Sequence, residues 1–491
     1  MRYQCDVLSP LHVGTGQTLL PIEYMVDGVF AVIDQEALFR SAPEFAENFM
    51  QRLISLTPDE IQRANLAQMI PGVPATRQEF QRYRCALTPY VKGQLDRARE
   101  RGQAEVRVVT KTPDNCPYLP GSSLKGALRT ALAYAWIKGD RNALDRLKRA
   151  PTREKWRAVE GMLRVGGDAD VTRDVLRALE VGDSQPLLAE DTLAVDHEAV
   201  LSAAVRRGSN SPGDSSAVWK GFPTFVETIK PGVALDGRII LRDRLLAGRA
   251  ADRLGWDSRQ RALVLGDVLK AANVLAGDAI AWELRFLARV TEVQVDSIRQ
   301  FYEDLSDRAR FAPENEAYLC LGRGAGWHKS TVGLLLEQAE DFDFARFRRE
   351  GGTAERRGAG FARTDFDFPK TRKFVMQGPG RPFGPLGWVR LVLLDLPAGT
   401  GVASAALVKK ESSESSAQPH PRPEPPTERG AQPASRARPA RKADLEALRR
   451  NFEKSKERVR ESERTTKASE KAKREQERIA RRYRGVDGTN K

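Results

Sequence analysis

Residues 118–137 read YLPGSSLKGALRTALAYAWI. Pro120 and Gly121 end whatever element precedes them, and Ser122 or Ser123 is placed to cap a helix that starts here. Leu124, Leu128 and Leu132 recur every four residues with Ala127, Ala131 and Ala135 beside them, so the helix has one apolar stripe and is expected to be buried. Lys125 and Arg129, also four apart, share the flank of that stripe. Open helix amides beside two cations are a natural seat for an anion, a phosphate above all. The chain holds no GxxxxGK[ST] run, so nucleotide hydrolysis has no support, and a phosphate of a polymer backbone stays open as the ligand.

Outward from this helix, β-rich runs alternate with helices without strict order. RYQCDVLSPL reads as a strand leading into the glycine loop HVGTG. IEYMVDGVFAVID alternates about Asp27-Gly28, a two-residue hairpin signal, and Asp34 is placed to cap the next helix. EVRVVTK (105–111) and ALEVGDS read as strands, with a charged helical stretch at 141–180 between them, and a further pair flanks Pro231-Gly232. Long helical stretches near 255–275 and 291–308 precede the strand-like AYLCLGRGAGWHKS and FPKTRKFVMQGPGRPFGPLGWVRLVLLD. Hairpins mixed with helices favour an α+β fold of ferredoxin-like type over a doubly wound parallel sheet.

Composition narrows the classes. At 491 residues there is ample material for a core. There is no run of eighteen apolar residues, and MRYQCDVLSPLHVG lacks a basic region followed by a long apolar stretch, so neither a membrane span nor a signal peptide is expected. Cys5, Cys85, Cys116 and Cys320 are scattered, without CxxC spacing, and the four histidines (His12, His197, His328, His420) complete no zinc pattern. Reduced thiols in a cytoplasmic protein, without a metal or other cofactor, are the expectation. The net charge is +14, but residues 409–491 carry 24 Lys and Arg against 14 Asp and Glu, a net of +10, which leaves +4 for the rest. The Pro- and Ser-rich stretch ESSESSAQPHPRPEPPTERGAQPASRARPAR is expected to be disordered. Residues 443–484 read as a charged helix with sparse apolar positions (Leu445, Leu448, Phe452, Val459, Ile479, Tyr483).

Three glycine loops share a theme. HVGTG holds Gly14 and Gly16; LGRGAGWHKS holds Gly322, Gly324 and Gly326; QGPGRPFGPLGW holds Gly378, Gly380, Gly384 and Gly387. Glycine lets backbone amides approach a ligand closely. In the second and third loops cations and aromatics interleave: Arg323, Trp327, His328, Lys329, then Arg381, Phe383, Trp388. That combination suits a single-stranded nucleic acid, which needs phosphate contacts and stacking surfaces.

LSPLHVGTG, YLPGSSLKGALRTAL, VGDSQPL, FVETIKPG, LGRGAGWHKST and FPKTRKF…GPLGW, in that order over residues 6–388, resemble the RAMP superfamily of CRISPR proteins, and within it the fifth-subunit family of type III-A (Csm) effector complexes. The resemblance implies a non-catalytic RNA-binding subunit built from RRM-type, ferredoxin-like modules with helical insertions: an N-terminal RAMP domain over 1–240 and a second RAMP-like domain over 241–400. Composition marks a linker over 401–442 and a charged helical tail over 443–491, a departure that the family pattern does not require. The resemblance further implies binding of the 3′ part of the crRNA at the end of the filament, beside the repeating backbone subunit and the small helical subunit. It also implies a link to 3′-end maturation, with host nucleases doing the trimming. The RNA-binding positions carried over or read from the loops are His12, Gly14, Gly16, Ser122, Ser123, Lys125, Arg129, Arg323, Trp327, Lys329, Lys370, Arg372 and Arg381.

The enzymatic alternative is a RAMP-type repeat endoribonuclease with His12 as general base, Lys125 as electrostatic partner and His328 as the second choice. No loop Asp is placed for metal-assisted cleavage, and Asp183 in VGDSQ reads as a cap or brace. The tail is too poor in apolar residues to build a core. Deleting residues 405–491 is therefore expected to leave the melting temperature nearly unchanged and to cost RNA affinity at low salt, less as salt rises. A truncated protein that melts much earlier would show that the tail packs on the body.

Overall fold

The computed structural model describes residues 1–41, 43–69, 78–164, 170–205, 215–350 and 368–396. The linker and tail expectations lie outside the described residues. Fourteen strands are described: β1 (Arg2–Val7), β2 (Gly14–Leu19), β3 (Tyr24–Asp27), β4 (Val29–Ile33), β5 (Gln81–Leu87), β6 (Val106–Val109), β7 (Leu179–Val181), β8 (Leu193–Val205), β9 (Ser215–Ile229), β10 (Ala234–Leu241), β11 (Glu316–Cys320), β12 (Thr371–Gly378), β13 (Arg381–Pro385) and β14 (Trp388–Leu393). They form an antiparallel five-stranded sheet, β11-β14-β1-β10-β7, and a mixed nine-stranded sheet. The latter runs β2-β6-β9-β8-β5-β4-β3 and branches at β8 to β12 and β13, with β5–β8 and β6–β9 parallel. This is an α+β fold, the class the hairpin-and-helix pattern favoured.

Local signals became local structure. β3 and β4 pair about Asp27 and Gly28, and Asp34 Oδ1 accepts from the Ala37 amide 3.0 Å away, capping the helix Gln35–Ser41. Leu124, Leu128 and Leu132 are all fully buried in the helix Gly121–Lys138. This helix packs along the longest described helix, Leu265–Ala288, where the Tyr134 hydroxyl donates to Asp278 at 2.6 Å. Both helices contribute to the main core, together with Tyr3, Cys5 and Val7 of β1 and Val389, Leu391 and Leu393 of β14.

Pairing across long separations departs from the expectations. β9 and β10 flank Pro231-Gly232 but are not partners; the turn carries the chain from the nine-stranded sheet to the five-stranded one. The division expected at residue 240 does not divide the sheets, because β1 lies between β10 and β14 and β12 pairs with β8. LGRGAGWHKS is not an extended loop. After β11 it winds into a 3-10 turn, Gly322–Gly324, and a short helix, Gly326–Ser330.

The start of the helix Gly121–Lys138 is corrected too. Pro120 is its N-cap residue, and neither Ser122 nor Ser123 caps it. Asp183, beyond the end of β7, accepts from the Gly121 amide at 2.7 Å. A carboxylate of the chain itself thus occupies part of the seat predicted for a phosphate. Gly121 is packed so closely on β7 that a Cβ there would collide with the Val181 carbonyl and the Gly182 backbone. Asp183→Ala is expected to cost about 1 kcal/mol, as lost caps do. Gly121→Ala is expected to cost more, about 1–3 kcal/mol of overpacking. Chemical denaturation checks both, and an unchanged midpoint for Gly121→Ala would contradict the tight approach.

Candidate nucleic-acid interface

The three glycine loops, the first of them far from the other two in sequence, meet backbone on backbone. The Arg323 amide donates to the His12 carbonyl at 3.0 Å, the Leu321 amide to the Gly387 carbonyl at 2.7 Å, and the Gly387 amide to the Pro10 carbonyl at 2.9 Å. Gly322 makes this junction possible. Its φ of +61° lies in the left-handed region, and a Cβ would strike the His12 carbonyl.

Buried carboxylates fix the cations around this junction. Glu198 of β8, 1% exposed, takes the Arg323 guanidinium in a two-point pair at 2.5 and 2.9 Å, with the Lys373 ammonium 3.7 Å away. Glu283 of the helix Leu265–Ala288, 3% exposed, takes Lys329 at 2.9 Å and Arg372 at 3.0 Å. Burial alone would raise the Glu283 carboxyl, but Lys329 and Arg372 outweigh it and hold it well below the usual carboxylate range. Burial likewise opposes the charge on Lys329, and Glu283 reverses this so that the ammonium is held above its ordinary value. Arg372 also lies over the Phe286 ring, 3.9 Å from its centroid. The GWHKS and FPKTRK motifs are therefore joined through one carboxylate, and Arg323, Trp327, His328, Lys329, Arg372 and Lys373 line a common cleft.

His12 belongs to this junction as a support. It is 6% exposed, its Nδ1–H donates to the Glu227 carbonyl at 2.7 Å, and its Nε2 lies against the α-carbon of Gly14. Burial lowers its pKa, with the Glu227 carbonyl opposing, so the ring is neutral. This packing leaves no open approach for a 2′-hydroxyl, and the geometry does not favour His12 as a general base. His328 is also enclosed: 1% exposed, with Nε2 2.7 Å from the Glu337 carboxylate.

The remaining expected positions divide. Gly16 and Arg381 are exposed and Lys370 is half-buried, its carbonyl accepting from the Ala203 amide. Trp327 is half-buried, its ring edge-on to Phe368 and a glycine, Gly333, packed against it. Ser122, Ser123 and Lys125 lie on the helix that starts beside β7 and are not among the residues lining the cleft. Arg129 does not stand beside Lys125 as a free cation. It pairs with Glu160 at 2.7 Å and Asp174 at 2.5 Å and braces its helix.

Sequence reading missed Glu283, Glu198 and Lys373. For Glu283 a signal was present: it falls on the apolar stripe that runs through Leu275, Ala276, Ala279, Ile280, Phe286 and Leu287, where a lone carboxylate requires a cationic partner. Among the described residues no group of three or more His, Cys, Asp or Glu is placed to hold a metal, and no helix is long and apolar enough to cross a membrane.

Comparison with known proteins agrees with this architecture. The CRISPR system Cms protein Csm5 of Methanocaldococcus jannaschii is 24% identical over 421 residues, covering 80% of this chain and 89% of that protein. Among solved structures, a chain in the cryo-EM structure of a Csm-crRNA-target RNA ternary complex of a type III-A CRISPR-Cas system matches with a TM-score of 0.54 at 24% identity, over 80% of this chain and all of that one. The crystal structure of T. onnurineus Csm5 matches with a TM-score of 0.49 at 22% identity, over 79% of this chain and all of that one. The RAMP superfamily model matches residues 4–329, which reach from β1 to the Lys329 that pairs with Glu283, and the chain belongs to that superfamily.

Proposed function

We propose that this chain is an RNA-binding subunit of a type III-A CRISPR effector complex that holds the 3′ part of the crRNA and caps the assembly. Its neighbours there are the repeating backbone subunit and the small helical subunit, and host nucleases trim the RNA end it holds. It acts by binding, without catalysis of its own. One observation carries the reading: three glycine loops converge, and the cations of the second loop and of the FPKTRK motif are held in one cleft by buried carboxylates. Membership of the RAMP superfamily and the likeness to Csm5 support it. Preorganised cations on close-packed backbone lose little entropy when a phosphate chain arrives.

Within this reading the binding positions are Arg323, Trp327, Lys329, Lys370, Arg372 and Arg381, with Lys373 added. His12, Gly14 and Gly16 shape the first loop. Ser122, Ser123 and Lys125 form a separate contact at the helix start, and Arg129 holds that helix in place. The exposed Arg381, and Lys373 with a side chain 41% exposed and a 3.7 Å contact to Glu198, are the cations best able to reach a phosphate. Replacing both with Gln is expected to weaken single-stranded RNA binding across sequences and to flatten the log–log salt slope by about 1.4, ~0.7 for each lost contact. Fluorescence anisotropy across a salt series measures it. An unchanged slope in a folded variant would move the phosphate track away from this cleft.

A further inference from the structure

The cleft contains a cavity of about 240 Å³, below the ~300 Å³ at which drug-sized pockets begin and suited to one small planar group rather than a stack. Its lining includes four cations, Arg323, Lys329, Arg372 and Lys373, against one carboxylate, Glu283. Adding Glu198, which pairs with Arg323 and Lys373, still leaves two positive charges in excess. A concave surface with that surplus concentrates field on an anionic ligand.

Three lining side chains carry buried polar atoms without a hydrogen-bond partner: Trp327 Nε1, His328 Nδ1 and Arg372 Nη2. Such orphans are rare in folded proteins. Their roles differ. The indole and guanidinium nitrogens can only donate. His328 Nε2 faces the Glu337 carboxylate and carries the proton there, and burial lowers the imidazole pKa to about 3, so Nδ1 is an acceptor. A backbone phosphodiester offers only acceptors and would leave Nδ1 unpaired. A nucleotide offers acceptors on base and phosphate and also N–H or O–H donors. Tyr302, Phe374 and Leu386 add apolar wall for the faces of a base.

We infer that this cavity receives one unstacked nucleotide of the bound RNA, with its base inside and its phosphate on Arg323 and Lys373, the less buried of the four cations. The inference rests on the RNA-binding reading above. It makes the cleft a register point: one position of the RNA is held by its base while its neighbours are held by their phosphates.

The test uses the full chain and a labelled single-stranded RNA of mixed sequence carrying an abasic site at each position in turn. One position is expected to weaken binding about tenfold when abasic, the scale of losing one base contact, with little effect at its neighbours. Trp327→Phe keeps the ring and removes the N–H. It is expected to weaken the intact RNA several-fold and to add no further loss for the RNA abasic at the sensitive position, because the two changes remove the same contact. A flat abasic profile with tight binding overturns the pocket and leaves the RNA-binding reading standing. Equal losses for Trp327→Phe on every RNA also overturn it. Failure of the wild-type chain to bind any of these RNAs overturns both.

Discussion

A single buried carboxylate holds the candidate interface together. Glu283 projects from the longest described helix and takes the ammonium of Lys329 and the guanidinium of Arg372, which reach it from elements 46 and 89 residues further along the chain. Burying these three charges is affordable as a set, because each meets an opposite partner and Arg372 also lies on Phe286. Removing the carboxylate would leave two cations buried without a counter-charge, a loss on the order of 3–5 kcal/mol where buried pairs have been broken. The pair is therefore poor as a stabilising device and effective as an orienting one. It sets where β12 and the Gly326–Ser330 helix stand relative to one another.

The backbone junction of the three glycine loops depends on a different constraint, close approach. Gly322 meets the His12 carbonyl and Gly324 meets the Leu386 carbonyl at distances no side chain would permit. His12 contributes as a wedge, anchored to the Glu227 carbonyl and covering Gly14. Glu227 is itself buried and receives the Tyr83 hydroxyl at 2.7 Å, the Val109 amide at 3.0 Å and the Lys111 ammonium. Three buried glutamates, Glu198, Glu227 and Glu283, thus surround the junction, and each fixes a cation or a loop on one side of it.

What was legible in the sequence was what is decided locally. The Leu124, Leu128 and Leu132 stripe, the Asp27-Gly28 hairpin and the Asp34 cap all follow from residues within a few positions of one another. What failed was decided at long range. Ser122 and Ser123 are good caps by type, yet Asp183 reaches the helix start first because Gly121 packs on β7. Lys125 and Arg129 share a helix flank, yet Glu160 and Asp174 claim Arg129. Pro231-Gly232 marks a true turn, but the partners of the strands on either side are set by β1 and β8, far away in sequence. The three loops of the candidate interface and their residue types could be read locally; which distant cations Glu198 and Glu283 hold could not, although the place of Glu283 on an apolar helix stripe showed that a cationic partner was needed.

Photo-crosslinking of bound single-stranded RNA to the full chain, with the linked peptides identified by mass spectrometry, tests the central claim most directly. Crosslinks concentrated in residues 321–330 and 369–388, with Trp327 among them, are the predicted result. Crosslinks confined to residues 405–491, or to the helix start at Ser122–Lys125, would contradict the claim that the junction of the glycine loops is where the RNA lies.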